Sequence, residues 1–212
     1  MAAAPRPASA EELACELLGV LLKKMSDGVP YMVWGHSVGT WVAFEYLILC
    51  RKVGLPMPKA GFFMAFPAPH MPEKQRRWKK SSRLTDAKMK QEVINWDRTH
   101  FSGVGRVVFE APLWKESFLP LFRGDFQLFD SYRFRHDGAP KFDFPIHAWH
   151  FPGDPYVSQD MIELWKEWTI DAFESRVVEG MGHTECFFMA HLRHRYFQMV
   201  TDLMKGYGCV DV

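Results

Sequence analysis

The chain has 212 residues, of which 48% are hydrophobic and 24% are charged. This composition is typical of a folded protein with a sizeable core, and it excludes a wholly disordered chain. The formal net charge of +1 gives no global reason to expect a nucleic-acid partner, and no run of residues is long and apolar enough to predict a membrane span.

The four cysteines are scattered along the chain and form neither a C-x-x-C pair nor a zinc-like spacing. They are Cys15, Cys50, Cys186 and Cys209. We therefore expect a reduced, cytoplasmic protein. The first ten residues lack the apolar stretch of a secretory signal, and organelle targeting by a longer leader is the alternative.

The first third of the chain alternates between helical and strand-like patterns. A helix-start signal and apolar spacing predict a helix over residues 9–24. A short apolar run at 30–34 predicts a buried parallel strand, and a second helix is expected over 38–52. A second buried strand is predicted at 60–66.

From residue 68 to about 140 the pattern changes, and we interpret this stretch as a helical insertion. Helical periodicity is found at 86–98 and 118–132, with no strong strand signal. The alternation then resumes, with predicted strands at 145–151 and 173–178 and helices at 159–168 and 187–205. The whole chain, 1–212, is thus predicted to be one α/β domain with a mainly parallel sheet flanked by helices.

The pentapeptide Gly35-His36-Ser37-Val38-Gly39 carries the main chemical signal. A G-x-S-x-G motif between a strand and a helix is typical of a sharp turn that presents a nucleophilic serine. We expect Gly35 and Gly39 to lie where a side chain would collide with a neighbouring element. The alternative is a tight turn with an inert serine.

A serine hydroxyl needs a base to remove its proton, and in this topology an acid and then a histidine follow the serine along the chain. Asp154 follows the third predicted strand and His183 follows the fourth. Parallel strands place their carboxyl ends at one edge of the sheet, so the three residues are expected to meet there.

We predict Ser37 as nucleophile, His183 as general base and then acid, and Asp154 as the group that orients the imidazole. A turn-forming Asp and an unrelated loop His are the alternatives. Cys186 lies close to His183 in sequence, but a cysteine-based site would leave Ser37 unexplained.

Several of these segments resemble type II thioesterases, the stand-alone editing enzymes of polyketide and nonribosomal peptide synthases within the α/β-hydrolase superfamily. Residues 30–45 resemble the nucleophile segment, and residues 118–132, from Phe-Leu-Pro-Leu-Phe-Arg-Gly-Asp-Phe to Asp-Ser-Tyr, resemble the lid. Pro145-Ile146, Gly153-Asp154-Pro155 and Gly182-His183 continue the match, which runs from about residue 11 to residue 204.

The resemblance implies hydrolysis of acyl thioesters carried on phosphopantetheine, either on an acyl carrier protein or on CoA, with no cofactor beyond the substrate's own arm and no metal. The insertion would be a lid that shapes an acyl channel. The lining residues expected are His36, Trp96, Phe101, Phe118, Phe122, Phe126 and Phe129. Packing against the core is the favoured role for any single one of these aromatic residues, and for His36 we favour a packing role beneath the pocket.

One basic stretch, residues 74–83, could dock an acidic carrier protein. The alternative is an ordinary solvated surface. A general carboxylesterase and a non-catalytic homologue that only binds carrier proteins are the alternative functions.

The chain departs from the family before the first helix, where relatives carry several strands and a loop. The backbone N–H of Val38 is the expected oxyanion donor, and the second donor would be missing, which typically costs on the order of 10²–10³ in rate. The strand at 30–34 would also lie at an exposed sheet edge. A covering second subunit, a truncated chain and a rearranged first helix are the three explanations, and we favour a homodimer or another covering element.

Overall fold

A computed structural model describes residues 6–110 and 114–208 of the chain. Its centre is a sheet of four parallel strands that lie in chain order. The strands are β1 (Val33–His36), β2 (Gly61–Met64), β3 (Ile146–His150) and β4 (Phe173–Val177). The predicted parallel α/β architecture is therefore confirmed.

Helices connect the strands and cover both faces of the sheet. They are α1 (Ala10–Met25), α2 (Gly39–Lys52), α3 (Asp86–Trp96), α4 (Arg98–Ser102), α5 (Val107–Glu110), α6 (Leu119–Asp130), α7 (Gln159–Glu163), α8 (Glu185–Phe188) and α9 (Ala190–Lys205). Short 3-10 turns occur at Glu73–Gln75, Ser81–Arg83, Val104–Arg106 and Leu164–Trp168, and a π-helical turn occurs at Trp114–Phe118.

Three predicted elements differ from the structure in ways that have local causes. Strand β1 begins at Val33 and includes His36, so the strand extends into the serine motif. The helix predicted at 86–98 divides at Asp97, whose extended φ of −148° breaks the helix while its side chain caps α4. The last predicted helix divides at Met189, which has φ −94° and ψ 114°.

The core has one apolar layer on each face of the sheet. On the α2 face, Phe63 of β2 stacks on Trp165, with ring centroids 4.0 Å apart and planes 10° apart. On the other face, Trp149 and Phe151 pack against Tyr196 of α9. All four residues of β2 are buried, because this strand lies between two neighbours and under both layers.

A buried carboxylate ties α2 to the end of the helical insertion (residues 68–140). Glu45 is 5% exposed and accepts hydrogen bonds from the Tyr132 hydroxyl at 2.6 Å and from His136 Nε2 at 2.9 Å. Burial, and then the charge of Glu45, raise the pKa of Tyr132, which keeps the hydroxyl protonated as a donor. The hydrogen bonds from Tyr132 and His136 to Glu45 fix the position at which the chain returns from the insertion to the sheet.

Within the described ranges, β1 hydrogen bonds to a strand on one side only, as expected for an edge strand. An apolar groove of about 630 Å³ follows its other side. The groove is lined by the inner face of α1, by Trp34 and by Phe187. That a second copy of the chain covers this edge stays a prediction.

No helix in residues 6–110 and 114–208 combines the length and apolar character needed to cross a membrane.

The Glu45–Tyr132 bond gives a stability test. We expect Tyr132→Phe to lower the free energy of unfolding by about 1–3 kcal/mol, because it leaves a buried carboxylate short of one donor. Tyr31→Phe is the matched control. The Tyr31 hydroxyl bonds to the Pro56 carbonyl near solvent, where water can replace it. Equal losses in urea unfolding of the two variants would contradict the assignment.

Candidate active site

Ser37 lies in a strained turn between β1 and α2. Its φ is 55°, in the left-handed region that non-glycine residues rarely occupy and that costs on the order of 1–3 kcal/mol. The turn is held from both sides. The Ser37 N–H donates to the Met64 carbonyl at 2.9 Å, and Thr40 Oγ1 donates to the Ser37 carbonyl at 2.8 Å.

The two motif glycines do not share one role. A Cβ on Gly35 would lie 2.8 Å from the Gly39 carbonyl oxygen and 2.8 Å from Thr40 Cα, so the strand can approach the helix only with glycine there. A Cβ on Gly39 would meet no atom within 4 Å. The expected steric need is confirmed for Gly35 and is wrong for Gly39.

The structure brings together the three residues that the motif and strand order point to. His183 Nε2 lies 2.7 Å from Ser37 Oγ, and His183 Nδ1 lies 2.5 Å from Asp154 Oδ2. His183 and Asp154 are both buried. The Asp154 carboxylate accepts a hydrogen bond from Nδ1–H, which leaves the Nε2 lone pair free to accept the serine proton.

Asp154 is itself fixed by its own loop. Its Oδ1 accepts the backbone N–H groups of Tyr156 at 2.8 Å and Val157 at 3.0 Å. These bonds stabilise the ionised carboxylate and leave Oδ2 for the imidazole. The Asp154 loop also meets the His183 loop closely, because a Cβ on Gly153 would lie 2.7 Å from the Met181 carbonyl oxygen.

His36 supports the loop of His183 and does not line the channel that opens at Ser37. Its Nε2–H donates to the His183 carbonyl at 2.7 Å, and its Nδ1 lies 3.3 Å from the Tyr196 hydroxyl. Burial, and then repulsion by His183, lower the pKa of His36 to about 3. His36 is thus a neutral donor at neutral pH, and its predicted place in the channel is corrected to the groove along β1, which it lines.

A channel of about 390 Å³ opens at Ser37 and His183. The expected aromatic residues line it, namely Trp96, Phe101, Phe118, Phe122, Phe126 and Phe129. Sequence reasoning missed six further lining residues, namely Val93, His100, Val108, Asp125, Thr184 and Phe188. Val93 could have been found from its position one turn before Trp96 on the same helical face, and Phe188 from its position five residues after His183.

Val38 lies at the boundary between this channel and the groove along β1, because its side chain lines both. It is the last residue before α2, so its backbone N–H belongs to a helix N-terminus beside Ser37. Such a donor suits a negative charge that develops on an oxygen next to the serine.

The structure gives little support for a cysteine nucleophile or a metal ion at this site. Burial raises the pKa of the Cys186 thiol to about 12, so this cysteine is a protonated thiol at neutral pH and a poor nucleophile. Within residues 6–110 and 114–208, no three His, Cys, Asp or Glu side chains gather in a way that could hold a metal ion.

The basic stretch at 74–83 contains half-buried cations that have partners within the protein and cations that are exposed. The Arg76 guanidinium lies 4.7 Å from the Trp41 ring centroid and donates to the carbonyls of Phe129 and Tyr132. Lys80 pairs with Glu73. The exposed members of the stretch are Lys74, Arg77, Lys79 and Arg83.

Comparisons with known proteins agree on one family. A family model described as "Thioesterase domain" matches residues 2–189. The gramicidin S biosynthesis protein GrsT of Aneurinibacillus migulanus is 26% identical over 177 residues, which cover 84% of this chain and 64% of GrsT. The chain therefore spans less than two thirds of that relative's length.

Two solved structures show the same relationship. YbtT, a type II thioesterase from the yersiniabactin NRPS/PKS biosynthetic pathway, is 27% identical with a TM-score of 0.73, covering 92% of this chain and 73% of YbtT. BorB, the type II thioesterase from the borrelidin biosynthetic cluster, is 29% identical with a TM-score of 0.65, covering 89% of this chain and 66% of BorB.

The two glycines of the motif give a matched pair of variants. We expect Gly35→Ala to destabilise the fold by about 1–3 kcal/mol, because backbone atoms at 2.8 Å cannot move aside cheaply. Gly39→Ala should leave stability unchanged or slightly raised, since alanine favours the helix that begins there. Thermal unfolding of both variants measures this. A larger loss in Gly39→Ala would show that the close approach has been misassigned.

Proposed function

The chain belongs to the thioesterase domain family, and we propose that it is a serine hydrolase that cleaves acyl thioesters through an acyl-Ser37 intermediate. The observation that carries the proposal is the hydrogen-bonded series Ser37–His183–Asp154 at the mouth of an apolar channel. The unit we propose is one domain, 1–212, in which the helical insertion at 68–140 acts as a lid.

The proposed reaction has two stages. His183 Nε2 takes the proton of Ser37 while Oγ attacks the thioester carbonyl carbon, and the N–H of Val38 stabilises the oxyanion. The carbon–sulfur bond then breaks, and His183 returns the proton to the departing thiolate. In the second stage His183 deprotonates a water that attacks the acyl-Ser37 ester, and the proton goes back to Ser37 as the acid leaves. Asp154 stays ionised throughout.

We propose that the thiol is phosphopantetheine, on an acyl carrier protein or on CoA. The aromatic channel suits an acyl chain, and relatives such as YbtT and BorB are named as type II thioesterases of NRPS/PKS or other biosynthetic clusters. The role would be editing or product release in polyketide, peptide or fatty acid synthesis in the cytoplasm. The reaction needs no cofactor beyond the substrate's own arm.

The nucleophile gives the first test. We expect Ser37→Ala to lower hydrolysis of an acyl-CoA by roughly 10³-fold or more and to abolish labelling by a fluorophosphonate. Ser26→Ala, which removes a hydroxyl bonded to the Leu22 carbonyl at the end of α1, is the control and should label normally.

The other outcomes of this test separate the alternative functions. Labelling of the unchanged protein with oxygen esters preferred over thioesters would indicate a carboxylesterase. No labelling at all would indicate a binding protein without hydrolase activity.

The exposed part of the basic stretch is the surface that we propose for an acidic carrier protein. Lys74 and Lys79 follow the carboxyl end of β2, the edge of the sheet at which Ser37 lies, and both side chains are exposed. Lys52 and Lys59 are also exposed, but they lie at the end of α2 and before β2, which is the opposite edge.

These four lysines allow a charge-matched comparison. We expect the double variant Lys74→Glu, Lys79→Glu to lower kcat/KM for an acyl carrier protein about tenfold at low salt, with the acyl-CoA rate unchanged. The variant Lys52→Glu, Lys59→Glu should alter neither rate. Equal effects of the two double variants would rule out this docking surface.

A further inference from the structure

The corner between α3 and α4 reaches from the helical insertion into the loop that carries His183. Asp97 forms this corner and is 3% exposed. Its Oδ2 accepts two hydrogen bonds from Thr184, from the backbone N–H at 3.0 Å and from Oγ1 at 2.5 Å. Thr184 directly follows His183, so a side chain of the insertion holds the residue next to the proposed base.

The other carboxylate oxygen of Asp97 serves the insertion itself. Oδ1 accepts the His100 N–H at 3.3 Å and caps α4. His100 and Thr184 both line the channel. One carboxylate therefore joins a wall of the channel to the loop of the proposed base.

The neighbouring Trp96 reinforces this contact through packing. Its ring centroid lies 4.5 Å from that of His183 and 4.7 Å from that of Tyr156, whose backbone N–H binds Asp154. Together, Trp96 and Asp97 thus contact the loops of both His183 and Asp154. Trp96 also contacts the rings of Trp78, Phe126 and Phe129 within the insertion, and that of Phe66 just past β2.

A carboxylate fits this position better than an amide. All three groups that face the Asp97 oxygens are donors, and an ionised carboxylate only accepts hydrogen bonds. Among the ion pairs of the described residues none includes Asp97, so these bonds must offset the cost of burying its charge. Burying an unpaired carboxylate is expensive for a residue whose only task is to end a helix.

We propose that Asp97 is a positioning residue that acts through Thr184 to hold His183 against Ser37, so that seating of the α3–α4 corner completes the reactive geometry. The proposal rests on the proposed function only in taking Ser37 and His183 as nucleophile and base. It does not depend on which acyl group or carrier is the substrate. A misplacement of about 1 Å can cost a reaction about 10²-fold, which sets the scale of the expected effect.

The test measures the rate at which a fluorophosphonate labels Ser37, together with kcat and KM for an acyl-CoA. For Asp97→Ala we expect labelling and kcat, each per folded molecule, to fall about 10- to 100-fold with KM changed little. Thr184→Val, which removes only the hydroxyl, should cause a smaller fall in the same direction. Thr184→Ser keeps the hydroxyl that Thr184→Val removes, and it should retain most of the rate of the unchanged protein.

A double variant tests whether the two residues act together. If Asp97 acts through Thr184, the variant Asp97→Ala, Thr184→Val should label no more slowly than Asp97→Ala alone. A double variant whose loss of labelling rate equals the product of the two single losses would overturn the proposal. So would labelling at the unchanged rate in Thr184→Val, a result that stays informative if Asp97→Ala fails to fold.

Asp130→Ala is the matched control for damage to the insertion. Asp130 is also a buried aspartate of the insertion and accepts a backbone N–H, that of Ser81 at 2.5 Å. We expect this variant to lose stability but to label at the unchanged rate per folded molecule. An equal slowing would mean that Asp97 acts only through the general stability of the insertion.

The labelling readout keeps this proposal separate from the thioesterase assignment. If the protein labels at Ser37 but does not cleave thioesters, the substrate proposal fails and the Asp97 comparison still holds. If the unchanged protein does not label, the proposed hydrolase itself fails.

Discussion

The structure of this site depends on one strained backbone position. Ser37 has a φ of 55°, and this turn ends β1 and starts α2 within three residues. Ala65, just past the end of the neighbouring strand β2, also has a positive φ, of 57°. Both turns are fixed by the next strand, since the Ser37 N–H binds the Met64 carbonyl and the Ala65 N–H binds the Trp149 carbonyl. The sheet therefore supplies the interactions that offset the strain.

The same edge of the sheet brings the remaining groups into reach. The loops after β3 and β4 carry Asp154 and His183, and parallel strands deliver both to the side where Ser37 lies. Their closeness depends on glycine at Gly153, where a Cβ would lie 2.7 Å from a backbone oxygen. Main-chain contacts thus bring the three loops together, and side chains such as those of His36 and Asp97 add to them.

Features of the fold and site that depend on hydrophobic periodicity and on the order of motifs along the chain could be predicted from the sequence. The parallel sheet, the helical insertion and the grouping of Ser37, Asp154 and His183 all follow from short patterns in chain order. The contact between Asp97 and Thr184 spans 87 positions and joins a side chain to a loop backbone, so no local pattern signals it. The support that His36 gives to the His183 carbonyl was missed for the same reason.

Fewer cations of the basic stretch at 74–83 are exposed than its sequence predicts. Arg76 is a cation in the sequence, but in the fold it is half-buried, and its guanidinium packs over Trp41 and donates to two carbonyls. Lys80 is engaged by Glu73. A run of charges in sequence does not reveal which members have internal partners, because those partners lie on elements distant in sequence.

The protonation states of the two neighbouring imidazoles have to differ for the chemistry to work. His36 and His183 have ring centroids 5.7 Å apart, and two imidazolium ions at that distance would repel each other. Burial lowers the pKa of His36 to about 3, so it is neutral while His183 gains and loses its proton. Asp154 then pairs with the His183 cation that forms as Ser37 attacks. The transfer of the Ser37 proton therefore turns a buried carboxylate into a buried carboxylate–imidazolium pair, and the balancing negative charge develops on the substrate oxygen beside Val38.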